Sequence, residues 1–366
     1  MYVFVPTNFL SMYLVSNHLG LAIGLKTGAL LNCLGAIVRF AGGAQSYFFV
    51  YVGTFLCAIG QTFILPMLPL LSGSWYGSHE RAEATGMGAL AYQTGMLIGL
   101  GATAAVDFRI AGTEGGGAEM NADKLDNYLK LQMVVAIVAL AMIFANVTTD
   151  RPKTPPSAAT ANITGHGLEI HYRESIRLIY QNPASVAFFV VFGLSVGVFY
   201  AIPTFLSQIV PSWPPRDQGW LGGIYQISAV IGCFAAGKIV DMFDQKYKLV
   251  ALYLLAGCIA SVGGFMLAVS QQSYFAMIAC GCIGFCFSAF MSVGIEFGTA
   301  LTYPAQEAAV YGVLDSTAEL SGFLLVTVGG AMNNDARMEF IAILFATVSV
   351  SIVILWFIQG EVKRPT

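Results

Sequence analysis

Apolar runs long enough to cross a lipid bilayer recur along the whole chain, and this one feature fixes the solvent in which it folds. A helix rises ~1.5 Å per residue, so ~20 residues span the hydrocarbon core. Eleven such runs lie near residues 2–22, 26–42, 46–71, 84–107, 128–148, 184–209, 219–239, 249–269, 274–297, 308–330 and 338–358. Only 10% of the residues are charged, where a soluble domain carries about 25%. In lipid every backbone polar group needs an internal partner, so runs of this length predict helices. The expected fold class is all-α, a polytopic membrane protein.

The same composition removes several functions. A net charge of −3 offers nothing to a nucleic acid. All seven cysteines (33, 57, 233, 258, 280, 282, 286) fall inside apolar runs, which argues against a disulfide framework or a zinc site. Cys280, Cys282 and Cys286 have no accompanying histidine and read as packing residues. The first apolar stretch lacks the basic segment of a cleavable signal. No nucleophile–base pair, phosphate loop or metal-ligand spacing is present, so neither an enzyme nor a cofactor is expected. The expected partners are a small organic solute and the bilayer, with the chain monomeric.

Residues 149–183 hold Pro152, Pro155, Pro156 and several charges, and read as a cytoplasmic linker. It separates an N-terminal bundle of five spans (1–148) from a C-terminal bundle of six (184–358), followed by a tail (359–366). Placing that tail in the cytoplasm puts 11 of the 17 Lys and Arg on the same side, the sign the positive-inside rule requires. Eleven spans then put the N-terminus outside with no basic anchor. Transporters of the major facilitator type are built from two six-helix halves, so the five-plus-six split suggests a first helix missing from this chain.

The loop after the second helix of each half strengthens this reading. Gly237, Asp241, Lys246 and Lys248 resemble the facilitator loop signature, Gly-x-x-x-Asp followed by basic residues. The corresponding first-half loop holds Asn17, Gly20, Gly24 and Lys26 but no Asp. Other segments resemble one branch of that superfamily, the feline leukaemia virus subgroup C receptor-related carriers. They are Gly294–Gly322 with its Glu-Phe, Thr-Tyr-Pro and Ala-Glu-Leu-Ser-Gly elements, Leu31-Asn32 with Gly35 and Arg39, Trp75-Tyr76-Gly77 with Glu80-Arg81-Ala82, Gln93-Thr94-Gly95, and Phe199-Tyr200-Ala201. The resemblance covers most of the chain from the family's second helix onward. It implies transport of a small organic molecule, often cationic, such as choline or ethanolamine, with haem as the alternative. A receptor or scaffold that does not transport is the competing class. The membrane is that of the cell surface or of an organelle.

Three polar residues stand out by depth. Gln93, Tyr200 and Glu319 lie within four residues of the midpoints of their spans, hence within roughly 6 Å of the bilayer centre, where transporter sites lie. The resemblance implies a pocket lined by Gln, Tyr and Gln at these positions, so Glu319 departs from the family. Gln93 could bond a substrate hydroxyl or, equally, a neighbouring helix. Tyr200 could offer its ring to a quaternary ammonium or simply pack. A carboxylate at the bilayer centre costs at least ~2.5–3.5 kcal/mol, so Glu319 is expected to face a cavity, a partner or a cation, the alternative being a protonated, packed acid.

Glu80, Arg81, Glu296 and Glu307 read as gate-like contacts or helix caps, alongside the loop residues Gly237, Asp241, Lys246 and Lys248. Asn162-Ile163-Thr164 matches a glycosylation sequon but falls in the linker, as do His166 and His171. Gly86, Gly88, Gly95 and Gly99 predict close helix packing. A permanent cation would need no coupling ion, since the membrane potential supplies about 2.3 kcal/mol per charge per 100 mV.

Overall fold

The computed structural model describes residues 3–43, 46–76, 81–105, 122–152, 154, 172–243, 246–332 and 337–358. Among them no strand occurs. The helices are α1 (Phe4–Leu14, continued by a π turn, Val15–Leu19), α2 (Gly20–Gly42), α3 (Tyr47–Ile64), α4 (Met67–Trp75), α5 (Arg81–Ala105) and α6 (Ala122–Asn146). After them come α7 (Tyr172–Gln181), α8 (Pro183–Ile209), α9 (Pro215–Met242), α10 (Tyr247–Ser270), α11 (Phe275–Thr302), α12 (Glu307–Ala331) and α13 (Arg337–Phe357). Nine segments of the described residues are long and apolar enough to cross a membrane. The sequence reading expects eleven. The difference arises because Phe4–Gly42 counts once and the less apolar α5 is not included.

The helix breaks follow from local chemistry. Gly20 adopts a φ of +71°, open to glycine and strained for other residues, and divides α1 from α2. The new helix start is capped from far away: Asp150 Oδ1 accepts the Ala22 N–H at 2.7 Å. The predicted span 46–71 is two helices, because Pro66 lacks an N–H and interrupts the ladder between α3 and α4. Asn182 starts α8 by accepting the Ala184 N–H at 3.1 Å, with Pro183 in the first turn.

Pro203 sits inside α8 and cannot donate to the carbonyl four residues back, that of Phe199. Tyr225 of α9 fills the gap, its hydroxyl donating to that carbonyl at 2.6 Å. The phenol ring stacks on the Phe199 ring with centroids 5.4 Å apart.

The linker contains a helix that the sequence reading did not anticipate. In α7 the buried residues Tyr172, Ser175 and Ile179 share one face, and Ser175 Oγ accepts the Gln306 N–H at 3.0 Å, just before α12. A second correction concerns the span at 2–22. Ser16 pairs with Gln306, and Asn8 donates to Ser316 Oγ at 2.8 Å. So α1 accompanies only the first half of α12, and Phe4 lies near the depth of Glu319 rather than at an outer surface.

Helices α2 and α3 cross through two reciprocal glycine contacts. A Cβ on Gly28 would lie 2.9 Å from the Gly60 carbonyl, and one on Gly53 would lie 2.5 Å from that of Gly35. Backbones approach this closely only without side chains. The glycines predicted to pack α5 behave otherwise. Gly86, Gly95 and Gly99 have open space where a Cβ would stand, and only Gly88 is crowded, by Leu68. The helices after the linker enclose the most densely buried core, where the Phe188 and Phe297 rings meet edge-on at 4.6 Å. Large apolar side chains elsewhere face outward, among them Val135, Met142, Trp356 and Phe357, as a lipid-facing surface requires.

Tyr225→Phe is expected to leave the Phe199 carbonyl unmet and to cost about 1–3 kcal/mol. Adding Pro203→Ala restores an N–H for that carbonyl and should return most of the loss. Thermal unfolding in detergent of the single and double variants measures both effects.

Candidate substrate site

Helices from before and after the linker meet where α5 packs on α9 and α1 packs on α12. Around these contacts the polar side chains converge. Glu319 lies at the midpoint of α12, half-buried. Asp315, four residues earlier, is 6% exposed, and its Oδ2 is buried without a hydrogen-bond partner. Tyr311 lies another four residues back. This spacing puts all three on one face of α12, with about 6 Å of helix rise between neighbours.

A cavity of about 10 Å³ opens on that face, lined by Phe192, Tyr200, Met291, Tyr311, Leu314 and Asp315 among others. It is apolar apart from the Asp315 carboxyl and the tyrosine hydroxyls, and its volume accommodates about one water. Tyr200 of α8 lies against α12, its Cβ 3.5 Å from where a Cβ on Gly322 would stand. Tyr92 of α5 is within hydrogen-bonding reach of Tyr200, and both carboxylates are near enough to act electrostatically on Tyr92, Tyr200 and Tyr311. The site is therefore a tyrosine-walled pocket bearing two carboxyl groups, close to the mid-depth of α12.

Of the three depth-selected residues, Tyr200 and Glu319 come together and Gln93 does not join them. Gln93 is fully buried and turned toward α9 and α11. Its Nε2 donates to Ser288 Oγ at 3.2 Å, while Gln226 Nε2 donates to the Gln93 side-chain carbonyl at 2.9 Å and to its backbone carbonyl at 3.1 Å. Its neighbour Tyr92 points to the carboxylates instead. Asp315, Tyr311, Tyr92 and Gln226 escaped the sequence reading. The signal for Asp315 was present: an acid inside an apolar span, one helical turn from Glu319.

The gate-like residues scatter. Lys248 donates to the Trp356 and Ile358 carbonyls at 3.2 and 2.6 Å, clamping the start of α10 to the end of α13. Lys246 is exposed just before α10, and Gly237 faces open space on α9. Glu296 lies within α11, which continues to Thr302, and Glu307 opens α12. Asp241 sits at the end of α9 and Arg81 at the start of α5, with their side chains, like Glu80, outside the described residues.

The Major Facilitator Superfamily model matches residues 1–326. The chain belongs to the major facilitator superfamily. It is 27% identical over 352 residues to an uncharacterized MFS-type transporter of Caenorhabditis elegans, covering 94% of this chain and 59% of that protein. It is 25% identical over 375 residues to the choline/ethanolamine transporter flvcr2b of Danio rerio, covering 100% of this chain and 75% of the relative. It is 26% identical to the choline/ethanolamine transporter FLVCR1 of Felis catus, covering 92% and 60%. The chain thus spans about three-fifths of the length of the worm and cat proteins. These relatives bear out the resemblance to the feline leukaemia virus subgroup C receptor-related carriers. Among solved structures, the facilitator FucP in its outward conformation aligns over 99% of this chain and 87% of its own, at 13% identity and a TM-score of 0.70. The proton:xylose symporter XylE aligns over 98% and 85%, at 13% identity and a TM-score of 0.71. At that identity the likeness establishes the fold, a multi-pass integral membrane protein.

Truncating either glutamine of the Gln93–Gln226 pair should destabilise this facilitator by about 0.6–2 kcal/mol, the range for hydrogen bonds between membrane helices. The variant carrying both Gln93→Leu and Gln226→Leu should lose less than the sum of the two single changes. A double-mutant cycle read by thermal denaturation checks the coupling; strict additivity would show that the amides do not act together.

Proposed function

We propose that this facilitator carries a small organic cation of the choline or ethanolamine class across a membrane. The observation that carries the reading is the pair Asp315 and Glu319, set one turn apart beside a tyrosine-walled cavity between α8, α11 and α12, with Tyr92 of α5 close by. Intramembrane carboxylates are expensive unless they face a cavity or a counter-charge. Tyrosine ring faces attract a quaternary ammonium by ~0.5–2 kcal/mol each, most when desolvated. The relatives named as choline/ethanolamine transporters support the same substrate class; none of their names points to haem. In this reading Tyr200, Glu319 and Asp315 face the substrate. Gln93 acts through its contacts with Gln226 and Ser288, which join α5 to α9 and α11. Lys248 holds α10 to α13 as the helices move.

Purified protein in proteoliposomes should take up labelled choline, with saturation. Absence of flux together with retained fold would favour a receptor or scaffold instead. Removing a carboxylate from a desolvated cation costs ~2–5 kcal/mol, so Glu319→Gln should raise the apparent choline constant by more than about tenfold. It should leave that for the uncharged isostere dimethylbutanol, with carbon in place of nitrogen, nearly unchanged. Equal effects on the two ligands would remove Glu319 from the pocket.

A further inference from the structure

The cavity beside Asp315 selects among cations by more than their charge. Asp315 is 6% exposed and lines the cavity, and its Oδ2 has no hydrogen-bond partner among the described residues. A buried acceptor left unmet is costly, and a donor from a bound molecule or a water relieves that cost. Tyr200 and Tyr311 belong to the same wall, and a phenol hydroxyl accepts as well as donates. A primary ammonium carries N–H donors for such acceptors; a quaternary ammonium carries none. Aromatic ring faces attract both kinds of cation, so the tyrosine rings do not decide between them.

Space makes the same choice. The cavity holds about 10 Å³, room for about one water. A primary ammonium head is a nitrogen with its hydrogens, close to water in size, whereas a quaternary head carries a methyl in place of each hydrogen. The walls that would have to yield to those methyls are backed by α11. Phe192 lies 2.8 Å from where a Cβ on Gly294 would stand, and Leu314 lies 2.9 Å from where one on Gly298 would stand. Both side chains are thus already seated against the α11 backbone, and forcing extra methyls between such walls is destabilising. Met291, 5% exposed, completes this side of the cavity. We propose that the site selects a primary ammonium over a quaternary one, Asp315 accepting from its N–H group while Phe192, Met291 and Leu314 exclude N-methyl groups. The inference rests on the cation-carrier reading above and narrows it: ethanolamine is the preferred cation of that class, and choline enters only with the walls displaced.

The test is a ratio of uptake rates for the full chain in proteoliposomes. Labelled ethanolamine and labelled choline are supplied separately at equal, low concentration, where the initial rate reads kcat/KM. Ethanolamine should exceed choline by more than about tenfold, because a site built to bond an N–H rejects the analogue that lacks it. As unlabelled competitors of ethanolamine uptake, N-methylethanolamine should be stronger than N,N-dimethylethanolamine. Asp315→Asn should lower the ethanolamine rate more than the choline rate, whereas a purely structural loss would slow both alike. Met291→Ala should raise the choline rate relative to the ethanolamine rate by about tenfold, the scale of small apolar groups in a pocket. Choline uptake as fast as that of ethanolamine by the unaltered chain would overturn the preference and leave the cation-carrier reading intact. A preference that stays the same in both variants would overturn its assignment to Asp315 and the cavity wall. Uptake of neither cation would overturn both readings.

Discussion

No water reaches the hydrocarbon core to bond a stray N–H or C=O, so each backbone polar group there must find its partner inside the protein. The long apolar runs obey this simply by being helical. The breaks show the constraint at work. Where Pro203 removes a donor from α8, a phenol from α9 takes the orphaned Phe199 carbonyl. Where Gly20 ends one helix and starts another, a carboxylate from beyond α6 takes the new N–H of Ala22. Each repair needs a particular side chain from a particular neighbour. The irregularities therefore dictate which helices lie together, and with them the geometry of the site.

The two helix-end clamps share one logic. Asp150 places a negative charge at the start of α2, and Lys248 places a positive charge at the end of α13. Each sits at the pole of the helix dipole that attracts it. The sequence pattern contained half of this. It marked Lys248 as part of a loop signature and noted that the loop holding Gly20 lacks an acid. The acid is supplied across 128 positions of sequence, and a pattern confined to one loop cannot register a partner so distant.

The order of the long apolar helices was legible because length and apolarity are local properties. The joint at Pro66 was legible in principle, since proline in an apolar run removes a donor wherever it stands. Helix α7 was harder to see. Its buried face is three residues in a ten-residue helix, amid a linker whose prolines and charges dominate its composition. Close packing was only partly legible. A seven-residue glycine step occurs in both α2 (Gly28, Gly35) and α5 (Gly88, Gly95), yet of the two only α2 is met there by glycines of a facing helix. Which glycines are crowded depends on the partner surface, and one strand of sequence does not contain that surface.

For the site, depth found the right plane but could not assign environments within it. Gln93 and Tyr92 are adjacent in sequence and at nearly the same depth, yet helical rotation sends one into an amide network and the other toward the carboxylates. Asp315 and Glu319 are a turn apart on one face, and their rank by depth is the reverse of their rank by burial. Midpoint distance measures how far a residue is from water along the membrane normal. Ionisation responds to water in any direction, including through a cavity. Asp315 lies nearer the membrane surface yet is walled in with Phe192, Met291 and Leu314, whereas Glu319, at the centre, is only half-buried.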